Sequence, residues 1–219
     1  MTGTRYPVLV SRGETRARFE AAGQPDALMA ALQAAGLVVP ARANTCAHTG
    51  SALRVDWLGP RRCVVSAPMD QEDALDERLH SAFAAVELAA VCRTSDMVVS
   101  FELAGPGAPD LLAQGGALDF SDAAFAVGNV TGTDLWGIAA VVERSADAPG
   151  SLRVTVDRSL AGFVEGWLLV ANGQPSSLRP GVMRTAHGPQ SGAGEGTEAS
   201  ARWAAPSAVS VVRSTKVHQ

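Results

Sequence analysis

With 219 residues, 47% of them apolar, and a net charge of −4, the chain has enough apolar content for one large or two small packed domains plus a tail. That charge, with Lys and Arg scattered and little aromatic interleaving, excludes an electrostatic case for nucleic acid or an anionic membrane as partner. The three cysteines, Cys46, Cys63 and Cys92, form no CxxC or CxxH pair, which excludes a disulfide framework or a zinc site legible from spacing.

Residues 1–24 read as an N-terminal arm. It carries one apolar run, Tyr6-Pro7-Val8-Leu9-Val10, among arginines, with neither a secretory signal nor a membrane span. Together with the cysteine usage this points to a reduced, cytoplasmic protein. Residues 25–173 read as one α+β domain. Pro25-Asp26 opens a helix with Leu28, Met29, Leu32 and Ala35 at helical spacing, and Gly36 ends it. Asn44-Thr45 reads as a loop or short edge. Leu53, Val55 and Trp57 alternate, Gly59-Pro60 turns, and Cys63-Val64-Val65 returns, which predicts an antiparallel hairpin. Asp70 is the expected cap of a helix through Val86, with Leu75, Leu79, Ala82 and Phe83 on its apolar stripe. Cys63 and Cys92 adjoin Val in strand-like runs, where a free thiol packs as a small hydrophobe.

The stretch Met97–Phe125 is the densest unit. Val99, Phe101 and Leu103 share one face of a strand, Gly105-Pro106-Gly107 breaks it, and Ala108–Gln114 forms a short helix with Leu111 and Leu112 inward. Gly115-Gly116 stops that helix, and Leu118, Phe120 and Phe125 supply a third apolar anchor. Strand character returns around Leu135, Ile138 and Val141-Val142. After a turn at 147–150, Leu152, Val154 and Val156 alternate. Ser159 is the expected cap of a last helix bearing Leu160, Phe163, Val164, Trp167 and Leu168. Residues 174–219, rich in Gly, Ser, Ala, Pro and Thr, read as a low-complexity tail expected to be disordered. Strands followed by helices, with hairpin-length connections, argue for α+β rather than a doubly wound sheet.

Candidate chemistry is sparse. His48 near Cys46 is the one Cys-His pair, a thiolate arrangement in principle and a solvated loop histidine otherwise. His80 falls on the polar face of its helix, and His187 and His218 lie in the tail. Gly105-Pro106-Gly107 and Gly128-Asn129-Val130-Thr131-Gly132 have neither the phosphate-loop spacing nor its lysine, so they read as turns. Asp119 and Asp122 form a close carboxylate pair that fits acid/base work or equally loop capping. Trp57, Trp136 and Trp167 are either a ligand cage or anchors of core and interface. The residues alone assign no catalytic, cofactor-binding or metal site.

Residues from about 36 to 173 resemble the gamma subunit family of heterotetrameric sarcosine oxidase. In order, the resemblance rests on Pro40 with Asn44-Thr45, Trp57-Leu58-Gly59-Pro60, Val99–Pro106, and Asp110–Gly115 with Leu118-Asp119-Phe120. Phe125 with Val127-Gly128, and Val156-Asp157-Arg158-Ser159 before Trp167-Leu168, complete it. The resemblance implies that residues 25–173 form two small α/β sandwich subdomains, with a break near 92, of the type found in the folate-binding aminomethyltransferase, the glycine-cleavage T protein. It implies partners, the alpha, beta and delta subunits of a complex that demethylates sarcosine to glycine. It places FAD, FMN, NAD, zinc and tetrahydrofolate in those partners, with no cofactor in this chain. A stand-alone folate-binding or aminomethyltransferase-like protein, with Asp119 or Glu102 as its pterin-holding acid, stays open as the alternative. So does a diverged scaffold.

Overall fold

Alternating side chains lay out the sheets. In Arg16–Gly23, Ala17, Phe19 and Ala21 are buried, and Arg16, Arg18 and Glu20 take the opposite face. The computed structural model of the chain describes residues 6–144 and 151–173. Within them the strands are β1 (Leu9–Arg12), β2 (Arg16–Gly23), β3 (Thr45–Thr49), β4 (Leu53–Gly59), β5 (Arg62–Pro68), β6 (Ala89–Arg93), β7 (Val98–Ala104), β8 (Val130–Leu135), β9 (Ile138–Arg144) and β10 (Leu152–Asp157). The helices are α1 (Pro25–Ala34), α2 (Glu72–Ala84), α3 (Ala108–Ala113) and α4 (Ala161–Ala171).

Two five-stranded sheets result, ordered β3-β4-β5-β2-β6 and β1-β7-β10-β9-β8, with every neighbouring pair antiparallel. Read from its other end, the second order is β8-β9-β10-β7-β1. The segments β2-α1-β3-β4-β5-α2 and β7-α3-β8-β9-β10-α4 therefore share one topology, and β1 fills in the second sheet the place that β6 holds in the first. Asn172, just past α4, donates Nδ2 to the carbonyl of Val8 at 2.8 Å and so ties the end of the second half to the strand that completes it.

Each sheet buries one face under its own helices. Leu28 and Leu32 of α1 and Leu75 and Leu79 of α2 pack on Phe19, Val55 and Val65. Leu111 and Leu112 of α3 and Val164 and Leu168 of α4 pack on Phe101, Leu103 and Val154. Phe120 and Phe125 close the second core edge to face, with ring centroids 5.3 Å apart. The other faces of the two sheets, polar by alternation, meet each other, giving layers of helix, sheet, sheet, helix with an ionic seam in the middle. At one side the sheet edges join: Thr45 bridges Asn129, and Cys46 N–H donates to the Gly128 carbonyl at 3.0 Å.

Several expectations change at this level. Arg16–Gly23 is an inner strand of the first sheet and Leu9–Arg12 an edge strand of the second, so neither is part of a free arm. The alternation of Ala17, Phe19 and Ala21 between charged residues is the signal for it. Asp70 does not cap α2: it sits in a 3-10 turn, Met69–Gln71, that leads into the helix, and no side chain caps that start. Ser159 is capped rather than capping, because Asp157 accepts its N–H at 2.8 Å. Leu118 is exposed, and only Phe120 and Phe125 anchor that segment. Cys92 is exposed at the sheet edge, whereas Cys63 is buried as expected. The turn at 147–150, His187, His218 and the 174–219 tail lie outside the described residues.

Candidate functional site

The seam between the sheets gathers most of the buried ion pairs among the described residues. Arg54 on β4 donates to Asp56 at 2.6 Å and across the seam to Glu143 on β9 at 2.7 Å. Arg153 on β10 donates to the same Glu143 at 2.9 Å and to Glu102 on β7. The register explains the second cluster: Arg153 stands opposite Glu143 on one side and Glu102 on the other, and cross-strand opposite charges stabilise each other. Burial works against the charge on Arg54, yet Asp56 and Glu143 outweigh it and hold the guanidinium above its ordinary range. Each of these carboxylates is engaged by a guanidinium, so none is poised as a free base.

Where the sheets diverge, the seam opens into a cleft of about 450 Å³, lined by Arg16, Arg18, Asp56, Ser66, Ser100 and Thr155 among others. A smaller cavity of about 210 Å³ lies toward the joined edges and contains Cys46 and His48. The structure does bring these two side chains near each other, Sγ to Nε2 at 3.8 Å. Burial, however, raises the Cys46 thiol, only partly opposed by Arg54. A thiol held protonated is a poor nucleophile.

The other sequence candidates separate. Asp119 accepts the backbone N–H of Ser121 at 2.8 Å, which lowers its carboxyl below the usual range, and Asp122 pairs with the buried Arg144. The two carboxylates thus serve different partners. Glu102 is taken by Arg153. Trp136 and Trp167 stack at 4.1 Å between ring centroids, tilted by 37°, while Trp57 belongs to the other half and donates Nε1 to the Gly59 carbonyl at 2.6 Å. No three-tryptophan cage forms. His80 is exposed on α2 beside Asp76. Gly105 adopts φ 131° and Gly128 φ 84°, both turn conformations that favour glycine. Among the described residues, no group of three or more His, Cys, Asp or Glu side chains converges as a metal site would require.

Sequence reasoning does not single out Arg18, Arg54, Asp56, Glu143 or Arg153. Their signal is present as polar positions alternating with core ones, but nothing local says that the two polar faces meet.

The model of the sarcosine oxidase, gamma subunit family matches residues 18–174. Among solved structures the chain is similar to the heterotetrameric sarcosine oxidase from Corynebacterium sp. U-96 in complex with pyrrole 2-carboxylate. That likeness has 23% identity and a TM-score of 0.68, over 81% of this chain and 89% of that one. It is also similar to the glycine cleavage system aminomethyltransferase T from Bartonella henselae, with 15% identity and a TM-score of 0.55, over 77% of this chain and 50% of that one. No curated protein matches it in sequence.

Proposed function

The chain belongs to the sarcosine oxidase, gamma subunit family, and on that premise we propose that it is a non-catalytic, gamma-type subunit of a flavin-dependent complex that oxidatively demethylates sarcosine to glycine. In this reading FAD, FMN, NAD, zinc and tetrahydrofolate belong to the alpha, beta and delta partners, and this chain contributes surface.

The observation that carries the reading is the outer face of α4. Its sequence, AGFVEGWLLVA, is apolar all round, and its one charged residue, Glu165, is engaged by Arg12 at 2.7 Å. Val164 and Leu168 face the core, but Phe163 and Val170 are 54% and 62% exposed, with the half-buried Trp167 between them at helical spacing. A solvent-facing helix ordinarily carries charge on its outer side. In this chain α2 does so, with Asp73, Glu77, Arg78 and His80 exposed. An aromatic and aliphatic stripe on α4 suits burial against a partner. The Trp57 hairpin and the Tyr6–Val10 run are weaker contributors: Trp57 is half-buried and Val8 is core, while Leu9 is open at 67%.

Co-expression of the tagged full chain with the large flavin-binding subunits, followed by capture and a visible spectrum, tests the reading. A yellow complex that consumes oxygen with sarcosine is the expected result. A colourless chain recovered alone overturns it. Val170→Glu should leave the chain's own stability within about 0.5 kcal/mol, as for most exposed substitutions, yet reduce recovery of the flavin-bearing partners. Unchanged recovery would remove α4 from the interface.

A further inference from the structure

At the open end of the seam, a guanidinium lacks enough partners. The Arg18 side chain is only 11% exposed, and its one carboxylate contact among the described residues, Glu20, stands 3.4 Å away and is held more closely by Arg62 at 2.8 Å. Arg18 Nε is buried and donates to nothing among the described residues. Leaving a buried donor unmet is unfavourable, and more so on a charged group. Burial pulls this guanidinium below its ordinary range, with Glu20 and Asp56 opposing only in part. Arg16 lies two residues away on the same face of β2. Its Nη2 donates to the Ala52 carbonyl at 2.8 Å, and among the described residues it has no carboxylate within ion-pair distance.

Both arginines line the 450 Å³ cleft. Across it stand Ser100 and Thr155, whose hydroxyl oxygens are 2.8 Å apart, with Ser66 beside Arg18 on the neighbouring strand. Val98, on the same face of β7 as Ser100, adds an apolar group, and the first turn of α4, Ala161 and Gly162, adds the positive end of a helix dipole. The acids on the walls are accounted for: Asp56 is held by Arg54, Glu143 by Arg54 and Arg153, and Glu14 stands exposed at the rim. The volume is in the range of small-molecule sites, and a planar guanidinium matches a carboxylate in two-point contact.

We propose that this cleft binds a small carboxylate-bearing molecule, its carboxylate at Arg18 and Arg16 and its other polar groups at the hydroxyls of Ser66, Ser100 and Thr155. The proposal stands apart from subunit assembly, and the isolated full chain suffices to test it. Calorimetric titration with succinate should show saturable binding, and the uncharged isostere succinamide should show none. Arg18→Gln and Arg16→Gln should each weaken succinate binding at least tenfold, whereas Arg93→Gln should not, since Arg93 pairs with Asp73 and Asp76 of α2, away from the cleft. Arg16 is half-exposed and outside both cores, so Arg16→Gln decides the matter even where Arg18→Gln fails to fold. Absence of saturable binding, equal binding of succinamide, loss of binding on adding an equal concentration of chloride, or an unchanged affinity in Arg16→Gln would overturn the proposal.

Discussion

Cys63 on β5 turns its thiol into the first core, has no exposed surface, and is pushed by burial up to about 12 from an ordinary 9.0. The native state therefore keeps a proton that the unfolded chain releases first. Stability tied to this group is complete below about pH 9 and falls as the pH rises toward 12, by about 1.4 kcal/mol per pH unit for a single proton. The chain has a single tyrosine, so few other groups cloud this range. Urea midpoints measured from pH 8 to 11 should fall in the parent chain and fall less steeply in Cys63→Ala. Parallel slopes would mean that the thiol is not what titrates. Cys46, by contrast, sits where Arg54 partly offsets burial, so it adds less to the same trend.

Close approach, more than helix termination, explains the glycines after α3. Gly115 and Gly116 follow that helix as a stop signal would, yet neither has a positive φ. A Cβ on Gly115 would instead enter the indole of Trp136, and one on Gly116 would press on Leu135 and the Asp134 carbonyl. Trp136 is itself held at φ 54° in the two-residue Trp136-Gly137 turn between β8 and β9, the primed geometry that matches strand twist. Gly115→Ala should then lower stability by about 1–3 kcal/mol through overpacking, read by urea denaturation. An effect near zero would show that the Trp136–Trp167 stack moves aside freely. Elements of this kind were largely legible in sequence. Leu53, Val55 and Trp57 with Gly59-Pro60 announce a hairpin, and Leu152, Val154 and Val156 announce a core strand, because burial follows local periodicity. Arg16–Gly23 was not, because its core side chains are two alanines around one Phe19, a weak apolar signal. The caps at Asp70 and Ser159 misled for a different reason: each helix is entered through a 3-10 turn, which shifts its start by a residue or two.

Across the whole molecule, two apolar cores are separated by a layer of charge, and Glu143 is where that layer crosses from one half to the other. Its side chain, 9% exposed, is shared by Arg54 from the first sheet and Arg153 from the second. Removing one partner of a buried ion pair leaves an uncompensated charge, so Glu143→Ala should cost about 3 kcal/mol. Scanning calorimetry would register it as a lower transition temperature. A change no larger than that of an exposed pair, below about 1 kcal/mol, would mean that the halves do not depend on this contact. The candidate site was hidden in the sequence for the same reason: Arg18, Arg54 and Arg153 belong to strands far apart in the chain, and only the meeting of two sheets makes them neighbours. The repeated topology also sets an order in time. During synthesis β1 leaves the ribosome first but has no partner until β7, some 90 residues later, has emerged and can pair Leu9 with Ala104. The first half, β2 through β6, can close in the interval on contacts wholly its own. The second half must then wait to recruit a strand that precedes every other described element in the chain, a long loop closure that makes the docking of β1 a natural late step in reaching the native state.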